Sequence, residues 1–294
     1  MVKGMGKKVV VMTGATSGFG VDWFQALSKN IDADFYILAR NQDKFQSLVA
    51  ASPRDIQNNI HFVPCELSSL KGIADAVSSV KGRVSSVDIL INNAGIFPSD
   101  LPSLNDDNIE LTFVVNHLAP LLTTLLLEAE LSRSGSARVI NTSSFQHFNA
   151  NLNLADINFS NTDSNNTGYS AMLAYQNSKL CNVLSTRHLS TLLGKNISVN
   201  CFDPGIVDTD MTKDAIPKIL SWAYPLLRVF FRDGIKGAET GVYLSIDETA
   251  NNNTGGYYRD KRLKQPSAIA QSQTIAEQLH QISIKLIEPY LGSG

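Results

Sequence analysis

A tyrosine and a lysine four residues apart are the first indication of chemistry in this sequence. Tyr175 and Lys179 lie in LAYQNSKLCNVLSTRHLSTLL, which is typical of a long helix, and residues at i and i+4 share one helix face. A free tyrosine has a pKa of about 10, too high for efficient proton transfer at neutral pH. A neighbouring lysine charge stabilises the phenolate and lowers that pKa, which would make the pair a proton donor. A surface pair on an amphipathic helix would show the same spacing.

The N-terminal region predicts a strand, a glycine-rich turn and a helix. KKVVVMT has the composition of a buried strand, TGATSGFG follows directly, and VDWFQALSK has helical periodicity. Glycine permits the tight turn and a close backbone approach to a ligand, and a helix N-terminus favours a phosphate. The unit is therefore of the dinucleotide-binding kind, although its spacing is T-G-x-x-x-G-x-G and not G-x-G-x-x-G. The turn residues expected at the cofactor are Gly14, Thr16, Ser17, Gly18, Phe19 and Gly20.

The end of the second predicted strand indicates which dinucleotide fits. Roughly 20 residues after the glycines, an acid contacts the ribose of NAD, whereas a base accommodates the 2′-phosphate of NADP. FYILA ends at Arg40, and Lys44 lies one helical turn further on; no carboxylate stands at the strand end, and Asp34 lies at the start of the strand. A guanidinium can bind a phosphate with two hydrogen bonds, so NADP(H) is predicted rather than NAD. The alternative is that Arg40 only caps a solvent-exposed loop.

Composition limits the classes of protein to which the chain can belong. The 294 residues are 43% hydrophobic and carry a net charge of −2, which suits a sizeable core and indicates no nucleic-acid partner. Cys65, Cys181 and Cys201 lack disulfide or metal-ligand spacing, so we expect free thiols in a reducing compartment and no metal. The first strand begins within about eight residues of Met1, and no run is long enough to cross a membrane. A cytoplasmic protein is therefore expected.

Strand-like runs alternate with helix-like segments along the whole chain. This alternation predicts one α/β domain over residues 1–294, a Rossmann-type doubly wound parallel sheet of about seven strands with helices on both faces. Ligands of such sheets bind beyond the carboxyl ends of the strands. The strand ends expected around that crevice are Gly14, Arg40, Asn92, Ser144 and Pro204. The predicted helices are 18–29, 42–51, 69–80, 107–133, 170–193, 235–247 and 268–290.

Six motifs occur in a fixed order along almost the whole chain. They are TGATSGFG at 13–20, NNAG at 92–95, Asn116 in VVNHLAP, Ser143–Ser144 in RVINTSS, YQNSK at 175–179 and DPGIVDT at 203–209. Together they resemble the short-chain dehydrogenase/reductase family. AMLAYQNSKLCNVL and the segment from PSAIAQSQTIAEQLHQ onwards are similar to members of the retinol-dehydrogenase and WW-domain-containing-oxidoreductase type. Protochlorophyllide reductases share Y-x-x-S-K-x-C-N but carry a cysteine where this chain has Ile206, so that activity ranks low.

The resemblance implies a role for each motif. Tyr175 would be the general acid or base at the substrate oxygen, and Ser144 would hydrogen-bond that oxygen. Lys179 would hold the nicotinamide ribose and lower the tyrosine pKa, with the oxidised nicotinamide as a second cation. Asn116 would hold a water that links Lys179 to solvent. The further cofactor contacts implied are Asn92, Ala94 and Gly95 near the adenosine ribose, Glu66 and Leu67 at the adenine, and Pro204, Gly205, Val207 and Thr209 at the nicotinamide.

Several positions depart from the family pattern. Glu66 stands where the family usually has aspartate, and Pro120 lies early in a helix, where it is tolerated near the first turn. The 31 residues from Ser144 to Tyr175 exceed the usual spacing because of an Asn- and Ser-rich insertion at about 148–170, which is expected to loop out. His147 is expected to be a loop histidine, with a place in the cleft as the alternative.

The segment at about 208–233 bears on the substrate. In this family it covers the substrate site as a lid, and here it is rich in apolar and aromatic residues, which suits a lipophilic ligand. A retinoid, steroid or lipid aldehyde is therefore expected. The alternatives are a segment packed into the core and a peripheral membrane contact. The residues concerned are Trp222, Tyr224, Leu226, Leu227, Phe230 and Phe231.

Two classes of function remain on the sequence alone. The first is an NADP(H)-dependent oxidoreductase that acts on a C=O or C–OH group of a small lipophilic molecule. The second is a regulatory protein that binds NADP and has lost catalysis. The intact set of Asn116, Ser144, Tyr175 and Lys179 favours the enzyme, because a sensor needs no such tyrosine. A homodimer through the helices at 107–133 and 170–193 is possible, although core packing explains the same apolar pattern.

Overall fold

An eight-stranded sheet forms the centre of the molecule in the computed structural model, which describes residues 7–157, 169–209, 212–213 and 231–292. The strand order is β3-β2-β1-β4-β5-β6-β7-β8; the first seven strands are parallel, and β8 is antiparallel to β7. The predicted Rossmann-type sheet is thus confirmed, with one strand more than the seven expected. The strands are β1 (Lys8–Thr13), β2 (Ala33–Ala39), β3 (Ile60–Pro64), β4 (Ile89–Asn92), β5 (Ala137–Thr142), β6 (Ile197–Phe202), β7 (Tyr257–Arg259) and β8 (Arg262–Lys264).

The sheet reverses its winding at β1. From β1 the chain adds β2 and β3 on one side, then crosses back to place β4 on the other side. Thr13 at the end of β1 pairs with Asn92 at the end of β4, and the Thr13 hydroxyl accepts hydrogen bonds of 3.1 Å from the backbone N–H groups of Asn93 and Ala94. Open α/β sheets bind ligands at this reversal, beyond the carboxyl ends of the strands.

Helices cover both faces of the sheet, so the parallel strands are buried on both sides. One face packs against Trp23 and Phe24 of the first helix and Leu244 of the eighth, and the other against Leu180 and Leu279 of the seventh and ninth. The helices in the described residues are α1 (Phe19–Asn30), α2 (Gln42–Ala50), α3 (Leu70–Lys81), α4 (Leu111–Phe113), α5 (Ala119–Leu126), α6 (Glu128–Arg133), α7 (Ala171–Leu192), α8 (Gly234–Ile246) and α9 (Gln273–Leu291).

The helix predicted over 107–133 is the clearest correction to the sequence analysis. The Asn105 side chain accepts hydrogen bonds from the N–H groups of Asp107 and Ile109, which holds that segment in a loop. Helix begins only at Leu111, where the Glu110 carboxylate caps the first turn by accepting from Phe113 N at 2.7 Å. A π-helical turn, Val114–Leu118, then separates α4 from α5. The periodicity of apolar residues indicates which face of a segment is buried. It does not reveal a short loop or a π turn within that segment.

The strand β8 was not expected from the sequence. It follows β7 through a two-residue turn in which Asp260 and Lys261 both have positive φ, 53° and 60°. Such a turn suits the twist of a hairpin and usually contains glycine or asparagine. Here Asp-Lys takes its place, and all three residues of the strand Arg262–Lys264 are exposed. The segment therefore offers neither the usual turn sequence nor an alternating apolar pattern.

The insertion and the lid lie partly outside the described residues. Residues 148–157 of the insertion form short 3₁₀ turns, and residues 158–168 are not described. The predicted lid is described only at its ends, so its aromatic residues other than Phe231 lie outside. Its base is held by a parallel bridge between Val207 and Arg232. Among the residues that the structure describes, no helix is both long and apolar enough to span a membrane.

Candidate active site

Tyr175 and Lys179 lie on one face of α7, directed at the end of β5. The helix begins at Ser170, whose hydroxyl caps it by accepting from Leu173 N. The Lys179 ammonium lies 5.5 Å from the centroid of the Tyr175 ring and donates a 3.2 Å hydrogen bond to the carbonyl of Thr142, the last residue of β5. The spacing of four residues therefore produces the proximity that the sequence predicts.

Two serines follow β5 and have different tasks. The Ser143 hydroxyl donates a 2.9 Å bond to the carbonyl of Lys179, which fixes the backbone of α7 against the strand end. The Ser144 hydroxyl accepts from Gln146 N at 3.2 Å, and its interaction with the Tyr175 phenol lowers the pKa of that phenol. Ser144, and not Ser143, is thus the serine beside the phenol. A substrate oxygen placed at Tyr175 would meet the Ser144 hydroxyl.

The proton affinities of the pair differ from the sequence-based expectation. Burial raises the pKa of Tyr175 to about 12; the interaction with Ser144 lowers it in part, and the carboxylate of Asp203 raises it. Burial also lowers the pKa of Lys179 to about 8. The prediction that Lys179 lowers the tyrosine pKa is therefore wrong for the polypeptide by itself, because the desolvation of the phenol outweighs the stabilisation of its anion.

Asn116 is fixed in the π-helical turn and is fully buried. Its Oδ1 accepts from Ile96 N at 2.8 Å, and its Nδ2 donates to Ile96 O and to the Ser178 hydroxyl, both at 3.0 Å. A Cβ at Gly95 would lie 3.1 Å from Asn116 Oδ1 and 3.4 Å from Lys179 Nζ. Gly95 thus separates the two polar side chains without filling the space. π turns often occur at functional sites, and this one places Asn116 beside α7.

A cleft adjoins this cluster at the carboxyl ends of β1, β2, β3 and β4. It consists of two neighbouring cavities of ≈ 320 and ≈ 370 Å³, each within the usual size range for small-molecule sites. The predicted residues that line it are Gly14, Thr16, Ser17, Gly18, Phe19, Gly20, Arg40, Lys44, Glu66, Leu67, Ala94, Gly95 and Thr209. The lining residues that the sequence analysis did not name as cofactor contacts are Leu38, Ala39, Asn41, Cys65, Ser68, Asn93, Ile96, Phe97, Leu111 and Val115.

The glycine turn has the shape of a phosphate cradle. Gly14 has φ +71°, and a Cβ there would lie 2.7 Å from Ala94 N; a Cβ at Gly20 would lie 1.9 Å from the carbonyl of Gly14. Both positions therefore require glycine. Gly18 is the N-cap of α1, and no side chain of the described residues caps that helix. Its first N–H groups remain available for an anion, which fits the pyrophosphate of a dinucleotide.

The basic residues predicted for the 2′-phosphate, Arg40 and Lys44, line the cavity of ≈ 320 Å³ together with Glu66 and Leu67. Arg40 Nη1 lies 3.8 Å from Glu66 Oε2, and both side chains are well exposed. An exposed pair at this distance contributes little binding energy, so the guanidinium is free to meet an anion. Asn41 caps α2 by accepting from Lys44 N at 2.8 Å, which adds a helix N-terminus to the same corner.

Asn92 does not lie where the sequence analysis placed it. Its side chain is buried and donates to Asn141 Oδ1 at 2.9 Å and to the Thr124 hydroxyl at 3.2 Å, so it ties β4 to β5 and α5, and it is not among the residues that line the cleft. Asn93 lines the cleft instead, with Nδ2 donating to Gly14 O at 3.0 Å. The sequence shows that Asn92 and Asn141 each interrupt a predicted buried strand. Their pairing depends on the register of β4 against β5.

Among the described residues that follow β6, Thr209 lines the cleft. A Cβ at Gly18 would lie 3.2 Å from Thr209 Cγ2, so this threonine meets the glycine turn. Val207 is buried, and a Cβ at Gly237 of α8 would lie 2.7 Å from it. Neither it nor Pro204 and Gly205 line the cavities formed by the described residues, so their predicted contact with the nicotinamide has no counterpart there.

His147 is a structural residue of the loop after β5. Its Nδ1–H donates to the carbonyl of Ser144 at 2.7 Å, and its Nε2 accepts from Ser267 N at 3.1 Å. Both ring nitrogens are therefore engaged in a neutral imidazole, and burial lowers its pKa. The expected loop histidine is found, and it links the site to the segment before α9.

Comparisons with known proteins agree with this arrangement. The family described as short chain dehydrogenase matches residues 8–155. Retinol dehydrogenase 12 of Mus musculus is 31% identical over 282 residues, which are 95% of this chain and 86% of that protein. The WW domain-containing oxidoreductase of Homo sapiens is 32% identical over 97% of this chain and 69% of its own length. Both types of relative were expected from the motifs.

A solved structure shows the same fold. An uncharacterized protein from Mycobacterium paratuberculosis superposes with a TM-score of 0.74 at 24% identity, covering 96% of this chain and 93% of that one. With a serine, tyrosine and lysine beside a glycine-lined cleft, and relatives of this similarity over nearly its full length, the chain belongs to the short-chain dehydrogenase/reductase family of nicotinamide-dependent oxidoreductases.

Proposed function

We propose that this protein is a single-domain NADP(H)-dependent oxidoreductase that transfers hydride between the nicotinamide and a C=O or C–OH group of a lipophilic substrate. The observation that carries the proposal is the Lys179 ammonium 5.5 Å from the centroid of the Tyr175 ring, hydrogen-bonded to the strand end that precedes Ser144, beside a glycine-lined cleft. A regulatory protein without catalysis has no use for a half-buried phenol beside a buried serine and a buried lysine in this arrangement.

Each polar side chain has a distinct task in this proposal. Tyr175 would give its proton to the substrate oxygen in reduction and remove it in oxidation, while Ser144 would orient that oxygen. Because the pKa of Tyr175 is raised to about 12, the phenol is protonated at neutral pH, which is the form that reduction requires. The bound cofactor would supply or accept the hydride. Lys179 would hold the nicotinamide ribose, and its charge would favour the phenolate in oxidation.

The choice of NADP(H) rests on the corner formed by β2 and α2. Arg40 and Lys44 both line the cavity that also contains Glu66 and Leu67, and the N-terminus of α2 lies between the two basic residues. Two cations and a helix N-terminus favour an additional phosphate over a free hydroxyl. In the described residues the second strand ends without an acid. NAD, whose ribose has free hydroxyls, would favour an acid at that position.

The lipophilic substrate class is supported by the surface around the cluster. Leu101, Leu104, Phe148 and Ile206 are each 45% to 60% exposed, and they follow β4, β5 and β6 at the same edge of the sheet as Tyr175. Phe97 lines the cleft, with its ring centroid 5.2 Å from that of Tyr175. Several exposed apolar side chains around one site indicate an apolar ligand.

A carbonyl-reduction assay tests this function. We expect NADPH consumption with at least one aldehyde or ketone from a panel of retinoid, steroid and fatty aldehydes. Tyr175→Phe should lower kcat by about 10²- to 10⁴-fold, the usual contribution of a proton donor, while NADPH affinity stays within about twofold of the original, since the ring is retained. Unchanged turnover in that variant would exclude the proposed role of Tyr175. Tight NADPH binding without turnover on any substrate would favour the regulatory protein.

A further inference from the structure

We infer that Arg259, acting through the buried carboxylate of Asp203, sets how readily Tyr175 releases its proton. The inference deepens the proposed function and rests on Tyr175 as the proton donor. In this arrangement Arg259 is a positioning residue that contacts neither substrate nor cofactor. Its charge would adjust the electrostatic field at the phenol from the far side of Asp203.

The backbone places Asp203 close to the catalytic serine. Strands β5 and β6 pair in parallel, with Thr142 opposite Phe202, and Ser143 N donates to Phe202 O at 2.8 Å. Ser144 and Asp203 therefore leave neighbouring strands at the same level. The Ser143 hydroxyl donates to the Lys179 carbonyl, and Lys179 donates to the Thr142 carbonyl, which docks the part of α7 that carries Tyr175 on this same strand end. The carboxylate of Asp203 therefore lies on the side of the sheet where the catalytic phenol is held.

Asp203 is a buried charge with few partners. It is fully shielded from solvent, and its Oδ1 accepts from Gly205 N at 2.9 Å. Within the described residues its Oδ2 has no hydrogen bond; the nearest cation is Arg259 Nη1, at 3.5 Å. Arg259 ends β7, and its side chain is 42% exposed. One partly solvated guanidinium thus compensates a buried carboxylate, a combination in which removing the cation leaves a costly charge.

Other groups near Asp203 are less able to balance it. His147 is held neutral by its two hydrogen bonds, and Tyr257 is a buried phenol. Arg232 donates to Asp260 at 2.6 Å and packs on Gly205, so its charge is already paired. The titratable and charged groups on the elements around Asp203 include Arg138, His147, Tyr175, Lys179, Cys201, Arg232, Tyr257, Tyr258, Arg259 and Asp260.

The direction of the effect follows from Coulomb's law. The Asp203 carboxylate raises the pKa of Tyr175 and of Tyr257, because a negative charge disfavours a second one nearby. Arg259 offsets part of that field. It also lies 3.9 Å from Asp260, so its guanidinium is held between two carboxylates and kept beside Asp203.

The test compares pH profiles of alcohol oxidation, in which Tyr175 must lose its proton. Removing the guanidinium in Arg259→Gln should move the ascending limb of kcat/KM to higher pH by about half a unit or more. Asp203→Asn keeps an oxygen for Gly205 N and should move the limb to lower pH. Arg262→Gln is the matched control, because Arg262 pairs with Arg259 across the β7–β8 hairpin and is exposed. Its limb should move by much less.

The double variant Asp203→Asn/Arg259→Gln decides whether the effect passes through Asp203. We expect its limb to coincide with that of Asp203→Asn alone, because a guanidinium that is no longer paired with the Asp203 charge turns to solvent, which screens its field at the phenol. A further shift on removing Arg259 in that background, or no shift of Arg259→Gln beyond the Arg262→Gln control, would overturn the inference. Arg259→Lys should restore most of the original profile, which a loss of packing alone would not.

A titration without substrate separates the role of Arg259 from the catalytic role of Tyr175. The ultraviolet difference spectrum between the original protein and its Tyr175→Phe variant isolates the ionisation of Tyr175, and Arg259→Gln should displace it to higher pH. Turnover that survives Tyr175→Phe would disprove the proposed function. If Tyr175→Phe abolishes turnover but Arg259→Gln does not change the pH at which Tyr175 ionises, only the role of Arg259 is disproved. Thermal melts confirm that each variant is folded.

Discussion

At the scale of single residues, the site holds two groups whose burial opposes their charged forms. Burial raises the pKa of the Tyr175 phenol and lowers the pKa of the Lys179 ammonium. The neutral phenol is ready to donate a proton, while the lysine is kept in a place where its charge is costly. Such a cost is typical of groups that serve function at the expense of stability, and it can be measured.

Replacing Lys179 by methionine should stabilise the protein. The residue is 3% exposed, and its pKa of about 8 lies below the ordinary value of 10.5. The cost of the buried charge is therefore fully present below pH 8 and is relieved as the pH rises through 10.5. At neutral pH we expect Lys179→Met to raise the free energy of unfolding by about 1 to 3 kcal/mol, while activity is lost. The Thr142 carbonyl still accepts from Asn182.

Urea unfolding at several pH values checks this expectation. The gain of Lys179→Met should shrink between pH 8 and 10.5, whereas a variant of the exposed Lys71 should show no such trend. A Lys179→Met protein that is less stable than the original at neutral pH, or a gain that does not change with pH, would contradict the account of a buried cation.

Residue types in the right order were enough to predict most of the cleft, because the glycine turn, Arg40 and Lys44 are placed by local backbone geometry. How deeply the side chains of the site are buried was not predictable in the same way. The spacing of Tyr175 and Lys179 predicts their proximity, but the loss of solvent around them depends on all the elements that pack over the site. This desolvation shifts the pKa of Tyr175 in the opposite direction to the one expected. Asn92 and Asn93 are adjacent, and which one reaches the cleft is decided by the register of β4 against β5.

At the scale of elements, the proposed preference for NADP(H) depends on the junction of β2 and α2. Arg40 should bind the 2′-phosphate with charge-assisted hydrogen bonds worth about 1.5 to 3 kcal/mol. We therefore expect Arg40→Ala to weaken NADPH binding by about 10- to 100-fold and NADH binding by no more than about twofold. Calorimetric titration of both cofactors measures this difference. Arg54→Ala, at an exposed position outside the cleft, is the control, and equal losses for NADPH and NADH would refute the assignment.

Element boundaries were predicted well where they are local and poorly where tertiary contacts decide them. α7 was expected over 170–193 and is found over Ala171–Leu192, because its cap and periodicity lie within its own sequence. The π turn around Asn116 depends on hydrogen bonds with Ile96, 20 residues away. No local pattern encodes such a contact, and a continuous helix was therefore predicted.

At the scale of the whole molecule, α9 packs over the helices that carry the site. His117 follows Asn116 and is almost fully buried, with Nε2 2.8 Å from the Ser283 hydroxyl on α9. His188 of α7 and His280 of α9 lie with ring centroids 4.5 Å apart. These imidazoles are neutral groups in the layer between α7, α9 and the π turn, so the docking of α9 depends on their staying unprotonated.

These buried histidines are expected to lower the stability of the fold at acid pH. Burial lowers the pKa of His117 to about 3 from an ordinary 6.5, and burial lowers the pKa of His188 and His280 as well. The unfolded chain binds protons that the folded chain excludes, so this stability is present above pH 6.5 and is lost as the pH falls towards 3. For His117 alone, the expected loss is about 1.4 kcal/mol per pH unit within that window.

A substitution at His117 should flatten the acid side of the stability curve. We expect His117→Asn to be less stable than the original protein at neutral pH, because it leaves Ser283 poorly paired, but to lose less stability on acidification, by about 1.4 kcal/mol per pH unit. Chemical unfolding between pH 7 and the acid transition measures both curves, with His61→Gln in the edge strand β3 as the control. Parallel curves for His117→Asn and the original protein would show that the buried imidazole does not limit acid stability.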